Sequence, residues 1–95
     1  MTLDEFRKTL GGSEPDGLSP PLRALWWAAR GDWTRAHDTI DDSEAPDGMW
    51  VHAHLHRQEG DQSNARYWYD RAGKPEFTGS IEEEWTAIAS ELLSR

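Results

Sequence analysis

The sequence predicts an all-α fold of antiparallel helical hairpins with capping helices at both ends. The pattern Gly-Asp-x-x-x-Ala occurs twice, starting at Gly31 and at Gly60, which are 29 residues apart. Hydrophobic residues recur at helical spacing on both sides of each copy. The segments that favour strands, Val51 and residues 67–69, lie inside those helical patterns, so no strand is predicted.

Each Gly-Asp pair predicts a joint between two helices. Glycine adopts the left-handed backbone conformation that ends many helices without the strain that other residues meet. The aspartate that follows caps the next helix by accepting backbone N–H groups. An alanine one turn later, Ala36 or Ala65, lets the two helices approach closely. The predicted structural turn residues are Gly31, Asp32, Gly60 and Asp61.

The first two helices are predicted from capping signals on either side of a loop. Thr2 and Glu5 form a capping box for a helix that reaches about residue 10. Residues 11–18 contain three glycines and are predicted as a loop. Ser19 caps the second helix, and Pro20 suits its first position because the N–H that proline lacks has no partner there. This helix ends at the first joint.

The remaining helices are predicted over 33–40, 47–59, 62–72 and 81–94. Acidic residues in 41–44 disfavour continuation of the third helix, because negative charge is unfavourable at a helix C-terminus. Gly73 and Pro75 stop the fifth helix. Ser80 and Glu83 form a second capping box, which starts the last helix. Together these elements predict a single helical domain, with an N-terminal helix and loop (1–18), two helix-turn-helix units (19–75) and a C-terminal capping helix (76–95).

The composition argues against several classes of function. The chain of 95 residues has no cysteine, which excludes disulfides and thiolate metal sites. Its net charge of −8 and its lack of a Lys/Arg cluster argue against a nucleic-acid partner and an anionic membrane surface. No apolar run approaches the ~20 residues of a membrane span, and the N-terminus lacks the layout of a signal peptide. We expect a soluble, cytoplasmic protein.

The residues around the joints resemble tetratricopeptide-type helical repeats. The second copy matches the order of small and large residues in such repeats through Gly60, Asp61, Ala65, Tyr69, Ala72 and then Pro75. The first copy has Gly31, Asp32, Ala36, Ile40 and, in the last place, Ser43. Residues 65–72 are also similar to the second helix of SEL-like repeats. The resemblance covers residues 22–75 and implies a short right-handed array of hairpins, in which the terminal helices act as caps because only two copies are present.

The resemblance also implies a ligand groove, because the first helix of each hairpin lines the concave face of such arrays. At an offset of 29 residues, three positions of the second helix correspond to three positions of the fourth. The implied groove residues are Arg23, Trp27, Arg30, His52, His56 and Glu59. Arginine offers a planar fork of donors for carboxylates, and tryptophan offers a flat apolar face. The leading hypothesis is therefore an interaction module that binds a protein or peptide partner in this groove.

Two other interpretations of the histidines remain open. His52 and His56 could be buried structural residues that bond to Glu59, a tyrosine or a backbone carbonyl. They could also hold a zinc ion, because histidines at positions i and i+4 of a helix can bind one metal and Glu59 could be a third ligand. The alternative function is therefore a metal- or small-anion-binding protein, conceivably an enzyme, centred on His52, His56 and Glu59. We expect His54 to be solvent-exposed, and the pattern gives no firm position for His37.

No cofactor other than this zinc alternative is predicted. The chain shows no nucleophile–base pair with a supporting sequence context, no phosphate-binding glycine loop and no Ca²⁺ loop, so catalysis is the less favoured class. The run from Tyr67 to Tyr69 cannot be buried entirely on one helix face. One or two of these aromatic rings should be exposed or at an interface, either packed between neighbouring hairpins or forming a homodimer contact.

Overall fold

Six α-helices and no strand make up the computed structural model, which describes residues 1–95 and confirms the all-α fold. The helices are α1 (Leu3–Thr9), α2 (Pro20–Ala29), α3 (Trp33–Ile40), α4 (Pro46–Gln58), α5 (Gln62–Ala72) and α6 (Ile81–Leu93). All boundaries lie within one or two residues of the predicted ones. The longest helices have 13 residues, whereas a bilayer core requires about 20 apolar ones, and none of the six could span a membrane.

The two Gly-Asp joints have nearly the same geometry. Gly31 and Gly60 have φ angles of 81° and 88°, in the left-handed region that the sequence predicts. The N–H of Asp32 donates to the carbonyl of Trp27 at 3.0 Å, and the N–H of Asp61 donates to the carbonyl of His56 at 2.9 Å. Each aspartate side chain accepts the backbone N–H three residues later, at 3.0 and 3.2 Å. Each joint thus gives hydrogen-bond partners to backbone groups at the end of one helix and at the start of the next.

Two of the three predicted serine or threonine caps form side-chain hydrogen bonds. Thr2 with Glu5, and Ser80 with Glu83, make complete capping boxes at α1 and α6. Ser19 occupies the N-cap position of α2 but makes no such bond. The first two helical positions are Pro20 and Pro21, which have no N–H to donate, so Ser19 has fewer donors to accept from.

Helix α4 lies at the centre of the molecule. It packs mainly on α5 and also contacts α2, α3 and α6. Every side chain from Val51 to His56 is buried as a result, including His54, which is only 1% exposed. The prediction that His54 is solvent-exposed is therefore wrong. An amphipathic surface helix leaves one face to water, whereas α4 has neighbours on all sides.

The main hydrophobic core joins α1, α2, α3, α4 and α6. Its largest members are Phe6, Leu25, Trp26, Ile40 and Ile88, none of which is more than 1% exposed. A smaller cluster of Ala53, Ala65 and Tyr69 joins α4 to α5. The terminal helices α1 and α6 contact each other, and α6 also covers α2 and α4. This packing brings polar side chains of α4 against partners on three different helices.

Candidate functional site

Three histidines from two helices meet beside the second joint. His52 and His56 lie one turn apart on α4, with ring centroids 4.8 Å apart. His37 on α3 faces both of them, at centroid distances of 4.8 and 5.4 Å. The Nε2 atoms of His37 and His52 are 3.0 Å apart, and one ring nitrogen from each of the three histidines lies within 4.8 Å of the other two. We call these three residues the histidine cluster.

Two tryptophans hold the rings of the histidine cluster in place. Trp68 stacks on His52 with centroids 3.9 Å apart and an interplanar angle of 15°. Trp33 stacks on His37 at 4.8 Å and 12°, and its indole N–H donates to the carbonyl of Leu55 at 2.7 Å. Because the indoles cover the outer faces of the imidazoles, the histidine rings have little freedom to rotate. Such fixed side chains favour a preorganised site.

His52 is the most deeply buried member of the cluster, with 2% exposure. Burial lowers its pKa, and the neighbouring His37 and His56 lower it further, to about 4. His52 is therefore neutral at pH 7 and keeps a lone pair on one ring nitrogen. Its Nδ1 is buried without a hydrogen-bond partner. Such an unsatisfied polar atom is rare in a folded protein.

Carboxylates bind the histidine cluster from two sides. The Nδ1 of His56 lies 2.5 Å from a carboxylate oxygen of Glu59 and 3.5 Å from the side-chain amide nitrogen of Asn64. This pairing places the proton of a neutral His56 on Nδ1 and leaves Nε2 with its lone pair. Asp41 lies 3.6 Å from Nε2 of His37. Two carboxylates thus lie beside the histidine cluster, and their negative charge favours a bound cation.

The structure separates the six implied groove residues into two groups. His52, His56 and Glu59 come together, as described above. Arg23 pairs with Glu14 at 2.7 Å, and Arg30 donates to carbonyl oxygens of the loop after α1, at 2.9 and 2.6 Å. Trp27 lies under the guanidinium of Arg35, at 4.2 Å. No hydrogen bond or ion pair joins the two arginines to the histidines, because the segment after α1 engages Arg23 through Glu14 and Arg30 through the carbonyls of Leu10 and Gly12.

A second polar cluster surrounds Glu84 on α6, which is fully buried. Its carboxylate accepts hydrogen bonds from His54 Nδ1 at 2.7 Å, from Arg57 at 3.1 Å and from the hydroxyl of Tyr69. Burial raises the pKa of Glu84, but the bonds from His54 and Tyr69 and the charge of Arg57 lower it more, so its pKa lies below the ordinary value. Burial and the Glu84 carboxylate raise the pKa of Tyr69. Glu84 is therefore ionised and Tyr69 neutral at pH 7.

Three residues of these clusters were not predicted from the sequence: His37, His54 and Glu84. The sequence carries a signal for the burial of the first two. Residues 48–56 contain no Asp, Glu, Lys or Arg, which indicates a helix buried on all sides and hence a buried His54. His37 lies four residues after Trp33 and three before Ile40, within the apolar stripe of α3. For Glu84 no local signal separates it from the two exposed glutamates before it.

The function of this chain has to be argued from its own geometry. Comparison with protein-family models, with curated proteins and with solved structures gives no match. The histidine cluster and the Glu84 cluster are the two places where the fold gathers buried polar side chains. They differ in chemistry, because the first brings together ring nitrogens of three histidines and the second pairs the Glu84 carboxylate with Arg57.

Proposed function

We propose that the protein binds a divalent transition metal ion, with zinc as the first candidate, through His37, His52 and His56. The observation that carries this proposal is the convergence of three imidazole nitrogens within 4.8 Å of one another. Two nitrogens that each lie about 2.0–2.1 Å from a tetrahedral zinc ion are roughly 3.3 Å apart. The 3.0 Å separation between His37 and His52 is close to that value. The ring nitrogen of His56 lies within 4.8 Å of the other two and would move toward them to complete the set.

The surrounding residues support a metal in this place. Imidazole is a good ligand for zinc, copper, nickel and iron. A histidine ligand usually donates its other ring N–H to a carboxylate, which fixes the ring and raises its basicity, and Glu59 stands in that position behind His56. The metal ion would take the place of the proton that lies between Nε2 of His37 and Nε2 of His52. In this proposal His37, rather than Glu59, is the third ligand, and a fourth position is left for water or another ligand.

We expect Zn²⁺ to raise the midpoint temperature of thermal unfolding of the wild-type protein. Co²⁺ should give the visible absorption of a cobalt–imidazole complex. His37→Ala and His56→Ala should lose binding, measured by titration calorimetry. Glu59→Gln should bind about 10–100-fold more weakly, since it supports a ligand without being one. Metal binding that is absent from the wild type, or unchanged in His37→Ala, would rule the proposed site out.

A matched control separates this site from a neighbouring set of ligands. His56, Glu59 and Asp61 also bring their ligand atoms within 4.8 Å of one another. Asp61→Asn removes one carboxylate from that set, while asparagine caps α5 about as well as aspartate does. The histidine cluster predicts nearly unchanged zinc affinity in Asp61→Asn. A large loss would place the ion at the second set instead.

A protein-interaction surface on α5 is the second candidate function. Tyr67 is 55% exposed, more than any other aromatic side chain, and the guanidinium of Arg71 lies near the rings of both Tyr67 and Trp68, at 5.8 and 4.9 Å. Exposed tyrosine and arginine are enriched in protein interfaces. The partner that we propose is a second copy of this chain. Binding of a peptide in the groove of Arg23, Trp27 and Arg30 is less favoured, because the loop after α1 already engages both arginines.

Sedimentation over a range of protein concentrations tests the interface on α5. We expect the wild type to dimerise and Tyr67→Ser to shift the equilibrium toward monomer, because the aromatic contact is lost. Tyr67→Phe, which keeps the ring, is the matched control and should retain most of the association. A wild-type protein that stays monomeric throughout the range would exclude the homodimer.

A further inference from the structure

A cleft of about 590 Å³ opens where α1, α2, α4 and α6 meet, away from the histidine cluster. Half of its ten lining residues are hydrophobic, including Leu10, Ile81 and Trp85. The indole N–H of Trp85 is already bonded to the carbonyl of Leu25 at 2.8 Å, so this side chain offers the cleft an apolar surface. The principal polar residues of the cleft are His54, Arg7 and Glu82.

His54 gives this cleft a ring nitrogen that has no hydrogen-bond partner in the protein. The side chain is 1% exposed, and its Nδ1 lies 2.7 Å from the buried carboxylate of Glu84. Arg57 also lies beside Glu84, at 3.1 Å. Because Nδ1 of His54 bonds to the Glu84 carboxylate, Nε2 is the ring nitrogen that is left to bond to a ligand. No group of the protein donates to Nε2, although His54 lines the cleft.

Arg7 gives the same cleft a positive charge. One of its guanidinium nitrogens donates to the hydroxyl of Thr86 at 2.7 Å, and the group lies 5.9 Å from the ring of Trp85. The other guanidinium N–H groups remain free to bind a carboxylate. Glu82 also lines the cleft and repels additional negative charge. A group with one negative charge, such as a carboxylate, is therefore favoured over a phosphate with two.

We propose that this cleft binds a small monocarboxylic acid that carries a hydroxyl group on an apolar body. The hydroxyl, which can donate or accept, forms a hydrogen bond with Nε2 of His54, the carboxylate pairs with Arg7, and the apolar body packs on Leu10, Ile81 and Trp85. A ligand without the hydroxyl would cover Nε2 without giving it a partner, which costs affinity. This site is independent of the proposed metal site.

Three probes that share a phenyl group test the proposal on the full chain. 3-Phenyllactate has both the hydroxyl and the carboxylate, 3-phenylpropionate lacks the hydroxyl, and 2-phenylethanol lacks the carboxylate. We expect 3-phenyllactate to shift the His54 Nε2 resonance in spectra of ¹⁵N-histidine-labelled protein. The other two probes should bind about tenfold more weakly, the loss expected for one hydrogen bond of this kind. The resonances of His37, His52 and His56 should not move.

Arg7→Gln is a suitable variant, because Arg7 is exposed and its loss should not unfold the protein. It should weaken 3-phenyllactate about tenfold and leave 2-phenylethanol unchanged, whereas Arg35→Gln, outside the cleft, should change neither. Equal affinity for all three probes would overturn the proposal, since it would indicate an apolar cleft without polar recognition. So would the absence of a His54 shift at saturation, or a shift confined to the histidine cluster.

Discussion

Glu84→Gln is expected to lower the free energy of unfolding by about 3–5 kcal/mol, the loss typical of removing one partner from a buried ion pair. The Glu84 carboxylate accepts from His54, Arg57 and Tyr69 and has no exposed surface. Glutamine has nearly the same volume but no charge. It would leave Arg57 without a counter-charge and would turn an NH₂ group toward side chains that are themselves donors.

Urea denaturation of wild type, Glu84→Gln and the control Glu82→Gln would measure this loss. Glu82 lies in the same first turn of α6 but is exposed, so its substitution should change the unfolding free energy by less than about 0.5 kcal/mol. If Glu84→Gln loses no more stability than Glu82→Gln, the buried ion pair does not stabilise the fold as we infer.

The second large effect is a loss of stability on acidification between pH 6.5 and pH 4, caused by His52. Burial and the neighbouring His37 and His56 lower its pKa from 6.5 in the unfolded chain to about 4 in the fold. Within this interval the unfolded chain binds a proton that the native protein does not, so stability is full above pH 6.5 and falls as the pH drops toward 4. The difference between these two pKa values corresponds to about 3–4 kcal/mol.

Denaturation at a series of pH values, together with NMR titration of the His52 ring protons, would check this expectation. His52→Gln should remove most of the slope between pH 6.5 and pH 4. The carboxylates whose pKa values are lowered in the fold, such as Glu84, lose their contribution mainly below pH 4.5 and should not obscure the effect. A His52 ring that titrates near pH 6.5 would refute the assignment.

The helix boundaries were predictable because their signals are local. The capping boxes at Thr2 and Ser80 and the left-handed glycines at the two joints act within four residues of themselves, so spacing alone reveals them. The cap of α2 is the one local prediction that differs in detail. Pro21 has no N–H to donate, and the side chain of Ser19 makes no cap bond.

The polar clusters were harder to predict because their members are far apart in the chain. His54 and Glu84 are separated by 30 residues, and their contact exists only because α6 covers α4. The helical period of α4 correctly places His52 and His56 on one stripe, but it cannot show which helix lies opposite each face. The groove that the resemblance implied did not include the loop after α1. Carbonyl oxygens of this loop accept hydrogen bonds from Arg30.

The central position of α4 has a consequence for the cooperativity of folding. In a repeat array each unit contacts only its neighbours, so units can be added or removed and stability is roughly a sum over them. Here α4 bonds through His52 to α3 and through His54 to α6, and Glu84 on α6 bonds in turn to α5. Loss of the α2–α3 hairpin would leave His52 without His37, and loss of the α4–α5 hairpin would leave the buried Glu84 without His54 and Tyr69. The chain should therefore fold as one all-or-none unit.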